Sequence, residues 1–281
     1  MVSDRKKYAL VLDVDDTLIL SLEKYNLARE LYSEEIDLLQ PGFSGADAVK
    51  LSQETDLAES SARKGSPETK NATLRRDRFP LSLLRAYRAL SGRPVPDEDA
   101  ERIRTAPEGE FEGLVNSLAI ETETDRILYG LAGTALEPKW KLRKGARKMA
   151  ESLQASGLFD FYAATIGDGV VQDRKYESVP LLQEIFPDKD KQYQVAPLEK
   201  TEILAKLAEE YGAENVVFVT DSKSDAKYTK AAGVKMVLVP LLSGKATHWQ
   251  EKALGATEEG YSTAKGGLSH VEAEIYSLLG L

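Results

Sequence analysis

YALVLDVDDTLI, Tyr8–Ile19, is the stretch that decides how this chain folds. Its first part, Tyr8–Leu12, is apolar without a polar alternation. A short unbroken apolar run fits a strand covered on both faces, as in a parallel sheet with helices on each side. Asp13, Asp15 and Asp16 follow immediately. In an open α/β sheet the ligand crevice lies at the carboxyl ends of the strands. Residues two apart on an extended chain point the same way, so Asp13 and Asp15 can address one centre.

Further apolar runs of the same kind lie at Phe161–Thr165, Val216–Val219 and Val234–Pro240, with Gln192–Ala196 a weaker strand candidate. Helical patterns separate them. Ala146, Met149, Ala150 and Leu153 share one face, with Gly157 as a stop. Ile203, Leu204, Leu207, Ala208 and Tyr211 share another, stopped by Gly212, and Ser222–Ala232 ends at Gly233 in the same way. Alternating strand and helix predicts an α/β sheet. The stretch from Ser21 to Glu137 differs, because it holds no convincing strand. Leu22 to Leu39 reads as a helix, another starts at Pro80, and Glu110 to Leu131 offers a third. Ser60 to Arg78 is polar and reads as a mobile loop or a loosely packed helix end. The expected organisation is an α/β core of residues 1–20 and 138–281, with an all-α domain of residues 21–137 inserted after the first strand.

Composition restricts the chemistry. The 281 residues include 37 basic and 46 acidic ones, a net charge of −9, which argues against a nucleic-acid backbone as partner. Cysteine is absent, and His248 and His270 are the two histidines. Thiol nucleophiles, disulfides, cysteine-ligated metals and histidine-rich sites are therefore excluded or nearly so. Catalysis would fall to carboxylates, lysines and hydroxyls, with a hard cation such as Mg²⁺ as the natural helper. No apolar run approaches the ~20 residues of a membrane span. The early carboxylates break what might pass for a signal peptide, so a cytoplasmic, soluble protein without a membrane partner is expected. Dinucleotide, P-loop, GxSxG and HExxH patterns do not occur.

The candidate site assembles from the strand ends. Thr165 closes the second strand in FYAATIGDG. Asp221 closes a later one in VVFVTDSKSD, with Asp225 four residues on. Lys200 opens the helix before that strand. Carboxylates gathered at one edge repel unless a cation lies among them. A lysine and a hydroxyl can hold an anion beside that cation, and a helix start after Asp221 would add positive charge. The set reads as a site for a phosphoryl group with Mg²⁺.

These motifs, DVDDT at Asp13–Thr17, Thr165, Lys200 and DSKSD at Asp221–Asp225, occur in the order found in the haloacid dehalogenase (HAD) superfamily. The chain resembles its members with a helical cap inserted after the first motif. The resemblance implies a Rossmann-like α/β core with parallel sheet and helices on both faces, plus the cap. It also implies a Mg²⁺-dependent phosphohydrolase acting on a small phosphorylated metabolite. Asp13 would be the nucleophile that forms an aspartyl-phosphate. Asp15 would protonate the leaving oxygen and then deprotonate the hydrolytic water. Asp13, the main-chain carbonyl of Asp15, and Asp221 would hold Mg²⁺. Thr165 and Lys200 would hold phosphoryl oxygens, with Thr17 and Asp225 in support. The dehalogenase branch lacks the second carboxylate of the first motif, so Asp15 favours phosphate chemistry. Two departures stand out: Thr220 where relatives often have Gly, and Ile166 where many have a polar residue.

Alternatives remain at this stage. A phosphotransferase or mutase would use the same aspartyl-phosphate. A non-catalytic phosphate-binding, metal-binding or signalling protein could keep the same fold. Lys175 and Lys191 compete with Lys200 for the phosphate role, and Ser222–Asp225 also reads as a capping box. Arg75, Arg76 and Arg78 could close over an anionic substrate or form a solvated loop. The basic run Lys139, Lys141, Arg143, Lys144, Arg147, Lys148 reads as a solvated helix face. Substrate identity and oligomeric state are not encoded in any of these patterns.

Overall fold

The apolar runs become strands β1 (Tyr8–Leu12), β2 (Phe159–Ile166), β3 (Gln192–Val195), β4 (Val216–Thr220) and β5 (Lys235–Leu238), and a sixth strand that no apolar run announced, β6 (Tyr261–Thr263), joins them. The computed structural model describes residues 8–62, 78–106, 108–166, 169–195, 199–240 and 260–281. The strands form one parallel sheet in the order β3-β2-β1-β4-β5-β6. The order reverses between β1 and β4, and the crevice of a doubly wound sheet opens at such a reversal. Helices α1 (Ser21–Leu39), α2 (Gly45–Ala62), α3 (Arg78–Leu90), α4 (Asp97–Thr105), α5 (Glu108–Leu114) and α6 (Glu123–Gly133) follow β1. The later helices are α7 (Ala146–Ala155), α8 (Gly169–Ser178), α9 (Pro180–Ile185), α10 (Glu199–Tyr211), α11 (Ala226–Ala232) and α12 (Val271–Leu279).

Burial explains the unbroken apolar runs. Ala9 and Val11 of β1 pack with Leu204 and Leu207 of α10 and Tyr228 of α11. Leu10 and Leu12 point to the opposite face and are equally buried, as are Val217 and Val219 beside them. Each such side chain contributes roughly 1.5–3 kcal/mol when removed from water. Both faces of the central strands are thus apolar, and only the strand ends are left for polar chemistry.

The chain divides into two compact units, residues 23–137 and the remainder. In the described part of the first, all helices and no strands appear, around a core that includes Tyr32, Ile36, Leu84, Tyr87, Ile103 and Leu128. The helix expected from Glu110 to Leu131 is not continuous. It breaks into α5, a π-turn at Val115–Ala119, and α6. The cause is local: Thr122 and Asp125 form a reciprocal capping box that starts a new helix. Arg88, 2% exposed, takes up the backbone freed there. Its guanidinium donates to the carbonyls of Ala119 at 2.7 Å and Arg93 at 2.8 Å, and to Glu121.

Other boundaries also shift. Helix α3 begins at Arg78 rather than Pro80, because Pro80 falls within the first turn, where its missing N–H has no partner to lose. Helix α11 begins at Ala226, and Lys223–Asp225 is a short 3-10 turn. Helices α2, α4, α8 and α9 and the α12 end of the chain carry weaker patterns and escape the sequence reading. Most of the polar stretch Ser60–Arg78, with Arg75, Arg76 and the Arg78 side chain, lies outside the described residues, as do His248 and Trp249.

Arg88→Met should destabilise the helical unit by about 2–4 kcal/mol, because it leaves buried carbonyls without donors. Urea denaturation should show a lower midpoint with an unchanged slope; an unmoved midpoint would contradict this account of the break.

Candidate active site

Strand β1 delivers Asp13 beside the end of β4, where the Asp13 N–H donates to the Val219 carbonyl at 2.9 Å. Lys200, on the first turn of α10, is 2% exposed. Its ammonium lies 2.9 Å from Asp225 Oδ2 and 3.5 Å from Asp13 Oδ2. Burial alone would lower this lysine, but Asp13 and Asp225 outweigh burial and raise it. The Thr220 hydroxyl donates to Asp225 Oδ2 at 2.9 Å and stands 3.4 Å from Asp13 Oδ2. Asp221 follows on the same strand end, its N–H donating to Thr17 Oγ1 at 2.8 Å while the Thr17 hydroxyl faces Asp221 Oδ1 at 3.3 Å. Thr17 therefore ties the first motif to the last.

Asp15 occupies a second, separate environment. Lys175 of α8 reaches both of its carboxylate oxygens, at 2.6 and 2.7 Å. Gln172 Nε2 donates to Oδ2 at 3.1 Å, Thr165 Oγ1 to the same oxygen at 3.4 Å, and Ser21 Oγ to Oδ1. Burial would raise this carboxyl, but Lys175 and the hydrogen bonds hold it below the usual carboxylate range. The turn between Asp15 and Thr17 is made by Asp16, at φ +55° in the left-handed region. Two bonds hold it there. Asp16 Oδ1 accepts from Leu22 N–H at 2.8 Å, and its carbonyl accepts from Arg143 at 2.8 Å. Arg143 also donates to the carbonyls of Val239 and Pro240.

The structure brings Asp13, Thr17, Lys200, Asp221 and Asp225 to one strand edge, with Asp15 and Thr165 adjoining. Thr165 faces Asp15 directly. Neither Ser222 nor Asp225 makes a side-chain capping bond, so the capping-box reading fails; Asp225 instead holds Lys200. The helix start expected directly after Asp221 is displaced by one 3-10 turn. Lys191 pairs with Asp160 near the starts of β3 and β2, at the other end of the sheet. Arg143 is a buried pin and not part of a solvated face, whereas Lys139, Lys141, Lys144, Arg147 and Lys148 are exposed. Sequence reasoning missed Gln172, Ser21 and Thr220 as site residues. The i, i+3 pair Gln172 and Lys175 on a short helix after the second strand was the available signal.

A hard cation fits this donor set. Asp13 and Asp221 offer only oxygen, and Asp13 is 7% exposed and Asp221 8%. Burial is the main force pushing Asp13 up to about 8; Lys200 opposes it, and Asp225, Asp221 and Asp15 add to it. A cation against Asp13 would favour its ionised form. Among the described residues no three acidic or histidine side chains enclose a metal on their own, so main chain, water or ligand would complete the shell.

This chain belongs to the haloacid dehalogenase-like hydrolase family, whose model matches residues 9–233. It is similar in fold to a haloacid dehalogenase-like family hydrolase from Xanthomonas campestris, at 16% identity and TM-score 0.61, covering 98% of this chain and 97% of that one. A HAD family hydrolase from Deinococcus radiodurans R1, determined with bound phosphate and sodium, matches at 17% identity and TM-score 0.51, covering 98% and 99%. A HAD hydrolase from Bacillus subtilis, determined bound to magnesium, matches at 19% identity and TM-score 0.50, covering 98% and 100%. No curated protein matches in sequence. Among the described residues no helix is long and apolar enough to cross a membrane.

Two measurements test this geometry. Because Asp13 is raised from 3.8 to about 8, the folded protein binds its proton more tightly than the unfolded chain does. Stability of the cation-free protein should therefore fall as pH rises through that window. Asp13→Asn should melt higher than the unaltered protein near pH 8, by about 2–4 °C for each kcal/mol relieved, with the gap closing towards pH 4. Calorimetry in chelator would show it, and a gap independent of pH would refute it. At the turn, Asp16→Ala keeps the left-handed strain and loses the bond to Leu22. It should be less stable than Asp16→Gly by about 1–2 kcal/mol in chemical denaturation.

Proposed function

We propose that this hydrolase cleaves phosphate monoesters of small metabolites with Mg²⁺ as helper. The observation that carries the reading is the convergence of Asp13, Lys200, Asp225 and Asp221 at the β1–β4 edge, with Asp15 two residues along in its own environment. Two carboxylates in unlike surroundings are suited to unlike tasks. Asp13 is the nucleophile. Its carboxylate attacks phosphorus, the bond to the leaving oxygen breaks, and an aspartyl-phosphate forms. Lys200, fixed by Asp225, supplies positive charge where the phosphoryl oxygens come to rest. Thr165 adds a hydroxyl on the Asp15 side.

Asp15 handles protons. It protonates the leaving oxygen and later takes a proton from the water that hydrolyses the intermediate. In the observed arrangement Lys175 favours its ionised form, which suits the base; serving as acid requires the Lys175 contact to loosen. Mg²⁺, held by Asp13, Asp221 and the Asp15 carbonyl, would supply charge neutralisation for the phosphoryl group. The magnesium in the Bacillus subtilis protein and the phosphate in the Deinococcus radiodurans protein are in keeping with this. By the same resemblance the helical unit acts as a cap and selects the substrate.

A panel of phosphorylated metabolites, with p-nitrophenyl phosphate included, should give phosphate release that depends on Mg²⁺ and needs no acceptor sugar. Asp13→Asn should lower kcat by at least about 10³-fold, the scale expected when a nucleophile is removed. Undiminished turnover in that variant would sink the assignment. Turnover only with an acceptor would identify a phosphotransferase.

A further inference from the structure

Helix α8 carries two buried polar atoms that make no hydrogen bond among the described residues, Gln172 Oε1 and the Tyr176 hydroxyl. Gln172 is 1% exposed and Tyr176 5%. Four residues apart on a helix, they share one face. That face adjoins the site. Gln172 Nε2 donates to Asp15 Oδ2, and Tyr176 is close enough to Asp15 and Asp13 to feel both charges. The amide orientation follows from chemistry. The Asp15 carboxylate accepts from Lys175 and Ser21, so it faces the amide's donor, and the acceptor Oε1 is turned away. Buried polar atoms in folded proteins are almost always partnered, and an exception calls for a specific cause. A core tyrosine and glutamine chosen only for packing would be better replaced by phenylalanine and leucine, which leave no such atom. Among the four side chains that donate to Asp15, Gln172 is the one that also carries a buried polar atom making no hydrogen bond among the described residues.

We infer that Gln172, assisted by Tyr176, is a positioning residue for the water that hydrolyses the aspartyl-phosphate. This rests on the phosphatase reading above and assigns a residue to its second half. One proton of the water points to Asp15 and the other to Gln172 Oε1. The water oxygen then bonds to phosphorus, and the bond from phosphorus to the Asp13 oxygen breaks, returning its electron pair to Asp13. One water proton passes to Asp15, and the other stays on the departing phosphate. Formation of the aspartyl-phosphate uses no water, and p-nitrophenolate leaves without needing a proton from Asp15, so with that substrate the loss of Gln172 Oε1 or the Tyr176 hydroxyl is read in the second half.

The test separates the two halves. With p-nitrophenyl phosphate and Mg²⁺, rapid mixing of Gln172→Met should give a burst of p-nitrophenolate near one per site. Its burst rate should stay within about twofold of the unaltered protein while steady turnover falls at least about tenfold. Tyr176→Phe, which removes one oxygen and keeps the ring, should show the same split more weakly. Hydroxylamine, which attacks the acyl carbon of an acyl phosphate, should release phosphate once and leave an Asp13 hydroxamate, so it should inactivate both variants during turnover faster than the unaltered protein. If burst and steady rates fall together, or neither changes, the assignment is wrong. If Gln172→Met fails to fold, Tyr176→Phe alone decides, and no burst there overturns the inference. Absence of any turnover in the unaltered protein would overturn the phosphatase reading itself, and this inference with it.

Discussion

A lysine sealed in the protein interior governs this site. Lys200 is 2% exposed, and an ammonium taken so far from water is costly unless carboxylates surround it. Asp225 and Asp13 provide them. The dependence runs both ways, because Asp13 would be harder still to ionise without Lys200. The Thr220 hydroxyl then holds the Asp225 carboxylate, and Thr17 accepts from the Asp221 N–H beside it. Burial, charge and hydrogen bonding here form one coupled unit, in which Asp225 remains 2.9 Å from Lys200 as its nearer carboxylate.

The two lysines divide the labour. Lys200 belongs to the strand edge that carries Asp13, whereas Lys175 reaches Asp15 from α8. The two aspartates, two residues apart in sequence, are driven in opposite directions, Asp13 upward and Asp15 downward. Burial drives Asp13 up against the pull of Lys200, whereas Lys175, on the helix that follows β2, overcomes burial at Asp15 and brings it down. The Asp16 turn, in the left-handed region, redirects the chain after Asp15 and is held by the Leu22 N–H.

Much of this was legible from residues. The runs at Tyr8, Phe161 and Val216 are strands because both their faces are buried, and burial is what an unbroken apolar pattern records. Asp13, Asp221 and Lys200 were readable because strand ends in such sheets face the crevice. Thr220 was visible only as a departure, since its hydroxyl gains meaning from Asp225 five residues on. Gln172 was hidden because α8 has a weak apolar pattern and polar helical residues are usually solvated. The break at Val115 was only half readable: Thr122 and Asp125 mark the new helix start locally, but Arg88, which takes up the Ala119 carbonyl freed there, lies on another helix. Arg143 was misjudged for a similar reason: its acceptors are carbonyls remote in sequence, and backbone acceptors leave no trace in a side-chain pattern.

The insertion has a consequence for the order of events during synthesis. Strand β1 is made before the helical unit, yet its neighbours β2 and β4 lie more than a hundred residues downstream. Its apolar residues must wait while the whole helical unit is made. That unit has its own core and local contacts, and such segments form quickly, whereas pairing across long sequence distances is slow. The nascent chain thus carries an unpaired, strongly apolar strand beside an already folded helical body. Asp13, Asp15 and Asp16 directly follow that strand, and charge flanking an apolar strand opposes its aggregation while it is unpaired.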